Sequence, residues 1–431
     1  LCRQMKFLPL PSHLAALKGF GAQVLSLLLV DQLRSIRPPH ESGIEKGFLS
    51  SASTSMLTLA HRYARHRMLH CQNQLVQAPK ASRILIIRLG AVGDVVRTVP
   101  AASCLRKYYP DAHIAWLVEP KAKTILDSVV WLDKVVIFPR DSLKEAATKG
   151  NLLTAGRLLR TFFQELRSSD FDLVLDFHSI FKSGLLGFLS GAARRVAYSP
   201  PYGKEFGHLF ATDRIDLSPT KSSRFERNRG MISFLGIGTT SLDPVFSIES
   251  GIRDALHARL REDIPGFNQE RLVCINPGAS SGAAYKRYTV DGYGEVARGL
   301  SKAGYLPLLT WGPASGERDF VKAVYNAAKG AAYFSPATPS LASLAALLSL
   351  SRLYVGGDTG PMHLASLLGI PVIQLMGPTD PIENTPYEGT PWDRVRIDIA
   401  CNPCRHGCAA APCMSLISPE EILRKAIRLL A

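Results

Sequence analysis

From Arg83 onward, short runs of branched apolar residues alternate with stretches of helical spacing, and no other feature of the chain restricts its fold as much. ILIIRL (84–89) has the length and β-branched content of a buried strand, GAVGD (90–94) is a tight turn, and VVRTVPAASCLRKYYP (95–110) carries helical spacing up to its closing proline. HIAWLVE (113–119), KVVIF (134–138), DLVLDF (172–177) and RVAY (195–198) read as further strands. Strands that alternate with helices pair in parallel and are covered on both faces, which predicts a doubly wound sheet. A second series opens at LVCINPG (272–278). It continues through YLPLLTWG (305–312), an Ala/Ser/Leu-rich helical segment (340–350), the stretch Tyr354–Pro381 and RVRIDI (394–399). Residues 236–271 hold no convincing central strand and read as the connection between the two series. At 431 residues the chain is long for one core, so two domains are expected.

The glycine-rich turns carry the candidate chemistry. In YVGGDTGPMHLASLLGIPVIQLMGPTDP (354–381) an apolar run breaks at Gly356-Gly357 and passes through Asp358 and Thr359. It resumes as a helix capped by Thr359 or Gly360, with Pro361 in its first turn and Gly369 closing it. Free N–H groups at a helix N-terminus attract anions, so Gly357, Asp358, Thr359, Gly360 and His363 form a candidate anion site. The same spacing also fits an ordinary β-turn-α connection. Asp94 lies where the first strand's carboxyl end meets a helix, and can either contact a ligand or cap that helix. GAVGD lacks the third glycine of the dinucleotide fingerprint, which disfavours a nicotinamide oxidoreductase. Lys286, followed by Arg287, can neutralise a diphosphate or sit on the surface. Glu317 can accept from a ribose hydroxyl or simply begin a helix in solvent. Two doubly wound domains that face each other place a ligand cleft between their strand ends.

A net charge of +15 points to anionic partners, and the excess is uneven. Residues 1–80 hold ten Lys and Arg against three Asp and Glu. Basic and aromatic residues do not interleave in a stripe, so nucleic acid is not an expected partner. Leu14–Leu33 is the most apolar early stretch, but Lys18, Gln23 and Asp31 interrupt it, which argues against a membrane span. No small-residue cleavage site follows it cleanly, which argues against a signal peptide. Residues 35–55 read as linker, and the basic segment His61–His70 as a solvated run or a contact for an anionic membrane face. Near the C-terminus, Cys401, Cys404, Cys408 and Cys413 have a spacing that suits a structural zinc or cluster site, a disulfide pair or reduced thiols. The following SPEEILRKAIRLL is a well-signalled helix, with Ser418 as cap, Pro419 first and Glu421 completing a capping box.

RILIIRLGAVGDVVRTVPA, NPGASSGAAYKRYTVDGY, GGDTGPMHLASLLGIPVIQLMGPTDP and the closing CNPC…C…CM, in that order, resemble the glycosyltransferase family 9 heptosyltransferases over roughly residues 83–431. The resemblance implies a GT-B fold, with a basic N-terminal extension (1–82), an acceptor domain (83–245) and a donor domain (246–431). It implies inverting transfer of heptose from ADP-L-glycero-D-manno-heptose to the inner core of lipopolysaccharide. The acceptor would be a phosphorylated lipid at the cytoplasmic face of the inner membrane. Asp94 then falls on the general base and Lys286 on the donor phosphate contact. Asp358, Thr359, Gly360 and His363 fall on the segment holding diphosphate and sugar. The loop GASSGAA departs from the family in being richer in small residues than its threonine-bearing counterpart. No DxD-type pair stands at a strand end, and Lys286 with the helix N-terminus can supply positive charge, so no cofactor is expected for catalysis. The alternatives are a GT-B enzyme using another nucleotide sugar and a nucleotide-binding module without catalysis. The C-terminal helix is expected near the domain interface.

Overall fold

The computed structural model describes residues 80–431 except 218–220, 239–245, 280, 313–315, 405–406 and 409. The early apolar stretch, the linker and the basic segment 61–70 therefore lie outside the described residues. The first unit runs β1 (Arg83–Ile87), α1 (Val92–Tyr108), β2 (His113–Val118), α2 (Pro120–Leu126), β3 (Lys134–Ile137), α3 (Arg140–Thr148), α4 (Leu152–Ser168), β4 (Leu173–Asp176), α5 (Phe181–Leu189), β5 (Arg194–Tyr198), β6 (Asp213–Ile215) and α6 (Arg224–Phe234). The second runs α7 (Ser250–Asp263), β7 (Leu272–Asn276), α8 (Val290–Lys302), β8 (Leu306–Leu309), α9 (Glu317–Ala327), β9 (Tyr333–Phe334), α10 (Leu341–Leu348), β10 (Leu353–Gly357), α11 (Gly360–Leu367), β11 (Val372–Met376), β12 (Trp392–Arg396), α12 (Pro412–Ser415) and α13 (Pro419–Leu430).

Each unit is built on an all-parallel six-stranded sheet, ordered β3-β2-β1-β4-β5-β6 and β12-β11-β10-β7-β8-β9. Taken in chain order within each unit, the two orders are the same doubly wound topology. The strand order reverses between β1 and β4 in one sheet and between β7 and β10 in the other, where open α/β sheets bind ligands. The expected strands are all present; β6 and β9, with three and two residues, are too short to leave a periodic signal. RVRIDI gives a strand displaced two residues toward the N-terminus, Trp392–Arg396.

Side chains alternate across each sheet. Ile84 and Ile86 join the cluster under α1, while Leu85 and Ile87 face the side covered by α4 and α5. All four are wholly buried, each worth roughly 1.5–3 kcal/mol relative to exposure. The cluster under α1 continues into the second unit through Leu272, Cys274, Tyr354 and Val372, so one apolar core crosses between the sheets. Helix α1 packs on α6 and on α11, and α10 packs on α7 and α2. The final helix departs from expectation. Ile422, Ala426 and Leu430 bury it against α8 and strands β10–β12, within the second unit rather than at the interface. Ser418 accepts from the Glu421 N–H at 3.2 Å, but the Glu421 carboxylate is taken by Arg424, so only half of the capping box forms. Among the described residues no helix is long and apolar enough to cross a membrane.

Candidate active site

The two glycine turns meet. A Cβ on Gly93 would lie 3.3 Å from the Gly360 Cα, and one on Gly360 would lie 3.1 Å from Val92 Cγ1. The N-termini of α1 and α11 thus abut, and glycine at both positions permits the approach. A side chain at Gly360 would press on Val92, which would have to give by a few tenths of an ångström. Two positive helix ends side by side, each worth about 0.3–2 kcal/mol toward an anion, call for negative charge.

Asp94 supplies part of it. Helix α1 is capped by the extended residue Ala91, and the Asp94 N–H donates to the Ala91 carbonyl, which puts Asp94 inside the first turn. Asp94 is therefore not the N-cap. Its carboxylate is held by three arginines: Oδ2 by Arg88, and Oδ1 by Arg97 and by Arg224 Nη1 at 2.6 Å. Burial alone would raise its pKa, but Arg88, Arg97 and Arg224 outweigh burial and hold it well below the usual carboxylate range. It is ionised at neutral pH.

Arg97, only 5% exposed, carries the network into the second unit. Its Nη1 reaches His363 Nε2 at 3.0 Å and donates to Asn384 Oδ1 at 3.0 Å. His363 Nε2 lies 3.3 Å from Asp358 Oδ1, and Lys286 Nζ lies 3.5 Å from Asp358 Oδ2. Burial and the Arg97 charge push the His363 pKa down to about 4, so its ring is neutral at pH 7 and its Nδ1 is buried without a partner. Burial works against ionisation of Asp358 too, but His363, Lys286 and Arg97 overcome it and lower its pKa far below the usual range. Thr359 is the N-cap of α11 as expected, with Pro361 in the first turn and Gly369 at φ +76° after the helix. The Thr359 hydroxyl turns back to the Gly357 carbonyl at 3.4 Å instead of capping an N–H, which leaves those donors to a ligand. Asp94, Lys286, Asp358, Gly360 and His363 are thus one connected site.

Glu317 sits apart from that network. Its Oε1 accepts from the Gly312 N–H at 3.1 Å, and its side chain lies where a Cβ on Gly278 would be. Burial raises its pKa, so it is not the solvated helix-start glutamate of the bland alternative. Gly278 follows β7 and Gly312 follows β8, so Glu317 lines the carboxyl edge of the second sheet. The turn Ser281–Lys286 brings Lys286 to the same edge.

The four C-terminal cysteines are free thiols: Cys401 and Cys408 exposed, Cys404 half-buried and Cys413 buried. Burial and the other three thiols raise the Cys413 pKa, which places them in one neighbourhood. Yet among the described residues no three His, Cys, Asp or Glu side chains converge as a metal-ligand set, and Cys413 Sγ instead packs against Gly377. The segment does pack on the Lys286 turn, because Gly407 lies against the Tyr285 ring.

Sequence reasoning passed over Arg88, Arg97, Arg224 and Asn384. Arg97 stands three residues after Asp94, an i,i+3 spacing that pairs on a helix. Arg224 and Asn384 come from distant segments and leave no local signal.

Residues 159–414 match the model of glycosyltransferase family 9 (heptosyltransferase). Among curated proteins, the chain is 26% identical over 316 residues to the lipopolysaccharide core heptosyltransferase OpsX of Haemophilus influenzae, covering 72% of this chain and 83% of that one. It is 27% identical over 332 residues to lipopolysaccharide heptosyltransferase 1 of Pseudomonas aeruginosa, covering 75% and 86%. Among solved structures, the glycosyl transferase family 9 protein of Veillonella parvula superposes with TM-score 0.66 at 20% identity, over 81% of this chain and 97% of that one. The Escherichia coli heptosyltransferase WaaC with ADP gives 0.62 at 21% identity, over 81% and 100%. These structural likenesses bear on the fold.

Proposed function

This chain belongs to glycosyltransferase family 9, with the two-sheet GT-B build, and from that premise we propose that it moves heptose from ADP-L-glycero-D-manno-heptose to the inner core of lipopolysaccharide, with inversion. The names of its relatives support heptose and lipopolysaccharide. The observation that carries the mechanism is the meeting of Asp94 with the Lys286–Asp358–His363 group across two abutting helix N-termini.

In this reading the domains divide near residue 245, the first holding the acceptor and the second the donor. The packing of α6 on α1 and of α7 on α10 supports that division. The donor diphosphate lies at Gly357–His363, where the free N–H groups of α11 and the Lys286 ammonium neutralise it. Asp358 is engaged by His363 and Lys286 and serves to orient them. Glu317 at the neighbouring edge accepts from the ribose. Asp94 is the base: as the acceptor hydroxyl attacks the anomeric carbon, its proton passes to an Asp94 oxygen and the C1–O bond to the diphosphate breaks on the opposite face. Charge stabilisation of the leaving group and removal of the proton are the two needs of such a transfer, and each has its own aspartate-centred group. The neutralisation rests on protein cations and requires no metal.

The basic surface fits a phosphorylated lipid acceptor at the cytoplasmic face of the inner membrane. A donor panel read by release of ADP, UDP or GDP tests the donor. Turnover with ADP-heptose well above the other sugars is expected; preference for a UDP- or GDP-sugar would move the chain to another GT-B activity, and tight nucleotide binding without release of any would leave a binding module.

A further inference from the structure

Asp94 Oδ1 is occupied twice, by Arg97 and Arg224, and Oδ2 once, by Arg88, so the carboxylate keeps a single open acceptor position, and withdrawal of one guanidinium frees a second and makes it a stronger base. The three are not equally free. Arg88 also donates to the Phe177 carbonyl at 2.8 Å and its side chain is 14% exposed. Arg97 is anchored at Gly93, His363 and Asn384 and its side chain is 6% exposed. Arg224 is the most open, at 31%; its Nε, like that of Arg88, is buried without a partner.

Arg224 also has somewhere to go. It is the first residue of α6, behind the capping pair Ser223 and Glu226. Its backbone N–H donates to the Glu383 carbonyl at 3.2 Å, and its Nη2 stands 3.7 Å from Glu383 Oε2. Glu383 belongs to the segment after β11, which α6 grips through Arg227–Glu383 at 3.3 Å and Arg229–Glu388, and which Lys221, just before α6, holds through Asp380 at 2.7 Å. The carboxylate waiting for Arg224 is therefore fixed by the second unit, which holds the donor edge, while Asp94 belongs to the first.

We propose that Arg224 is a positioning residue that gates the base: it occupies Asp94 Oδ1 until the acceptor enters, then swings onto Glu383 and yields that oxygen to the acceptor hydroxyl. The inference rests on the reading of Asp94 as the base. The gate ties proton transfer to the juxtaposition of the two units, because the receiving carboxylate is in place only when α6 is latched to residues 380–388. The charged and titratable groups around Asp94 are Arg88 after β1, Arg97 on α1, Arg224 on α6, His178 after β4 and His363 on α11. Arg88 also acts on Asp176 and Arg97 on Asp358, but Arg224 is the member of this set that pairs both with Asp94 and with a second carboxylate, Glu383.

The test is the pH dependence of kcat/KM, with ADP affinity and melting temperature, for wild type, Arg224→Gln, Glu383→Gln and the double variant. Glu383→Gln leaves Arg224 no second carboxylate, so kcat falls by about tenfold or more while ADP affinity holds. Arg224→Gln removes one cation from Asp94, so the acid limb of the profile moves up by about 1–3 on the pH scale. In that background Glu383→Gln has no further effect. Arg224→Lys, which keeps the charge but cannot span both carboxylates, leaves the acid limb near wild type and abolishes the sensitivity to Glu383→Gln. It stands in should Arg224→Gln fail to fold. Effects of Arg224 and Glu383 that multiply, with an unmoved acid limb, would overturn the gate while leaving the base untouched. Wild-type-like turnover in Asp94→Asn would instead remove the base reading on which the gate stands.

Discussion

Residues 83–94 and 353–360 are one device built twice: a central parallel strand, a glycine turn, an aspartate and a helix whose N-terminus meets its counterpart from the other unit. They differ in what surrounds the aspartate. Asp358, 6% exposed at its side chain, is shared between one imidazole and one ammonium. Asp94, 15% exposed, is ringed by three guanidiniums. Asp94 lies inside the first turn of its helix and Asp358 just before the N-cap Thr359, and both stay charged, one among guanidiniums and the other between His363 and Lys286. Similar strand-turn-helix units carry different surroundings because side chains from distant elements decide them.

The largest expected break comes at Asp94. Asp94→Asn should lower kcat by ~10²–10⁴, the worth of a general base. It also leaves three arginines around a neutral amide, so stability should fall by about 3–5 kcal/mol while ADP affinity holds or rises. Thermal melts and calorimetry beside the kinetics check all three; a parallel loss of ADP affinity would assign Asp94 to the donor.

At the second device the signature is pH. The buried His363 has its pKa moved from 6.5 to about 4, a depressed group whose contribution is present above 6.5 and is lost as pH falls toward 4. Wild type should therefore lose about 3 kcal/mol more than His363→Gln between those limits. Denaturant unfolding across that window measures it. Asp176, whose pKa burial raises to about 6, acts oppositely in both proteins and cancels in the difference. Parallel curves would mean that His363 titrates alike in the folded and unfolded chain.

Lys286→Ala should weaken ADP binding by about 1.5–3 kcal/mol, the range for a hydrogen bond to a charged group, with little change in the acid limb that reports Asp94. Calorimetric titration with ADP decides it, and an unchanged affinity would leave Lys286 to Asp358 alone. The smallest effect is expected from metal removal. Exhaustive chelation should leave kcat unaltered, since protein cations serve the diphosphate; elemental analysis for zinc and iron shows whether the cysteine segment carries metal. A loss of turnover restored by metal would give the Lys286 loop a support that the first device lacks.

Much of this was legible in the chain. Glycine turns after branched apolar runs mark strand ends, and these placed Asp94, Asp358, Gly360 and His363 before any geometry was known. The three-arginine ring was not legible, because Arg224 reaches Asp94 across 130 residues and Asn384 reaches Arg97 across 287. Such contacts follow from how two sheets pack, which no local pattern encodes. The docking of α13 escaped for a related reason: an apolar stripe says that a helix is buried, without saying against what.

The central claim is a single displacement, with Asp94 on one face of the anomeric carbon and the diphosphate on the other. Its most direct test is the anomeric configuration of the linkage formed from a donor of defined anomer, read by NMR on the isolated product. One-step attack predicts a linkage inverted relative to the donor; a retained configuration would contradict it.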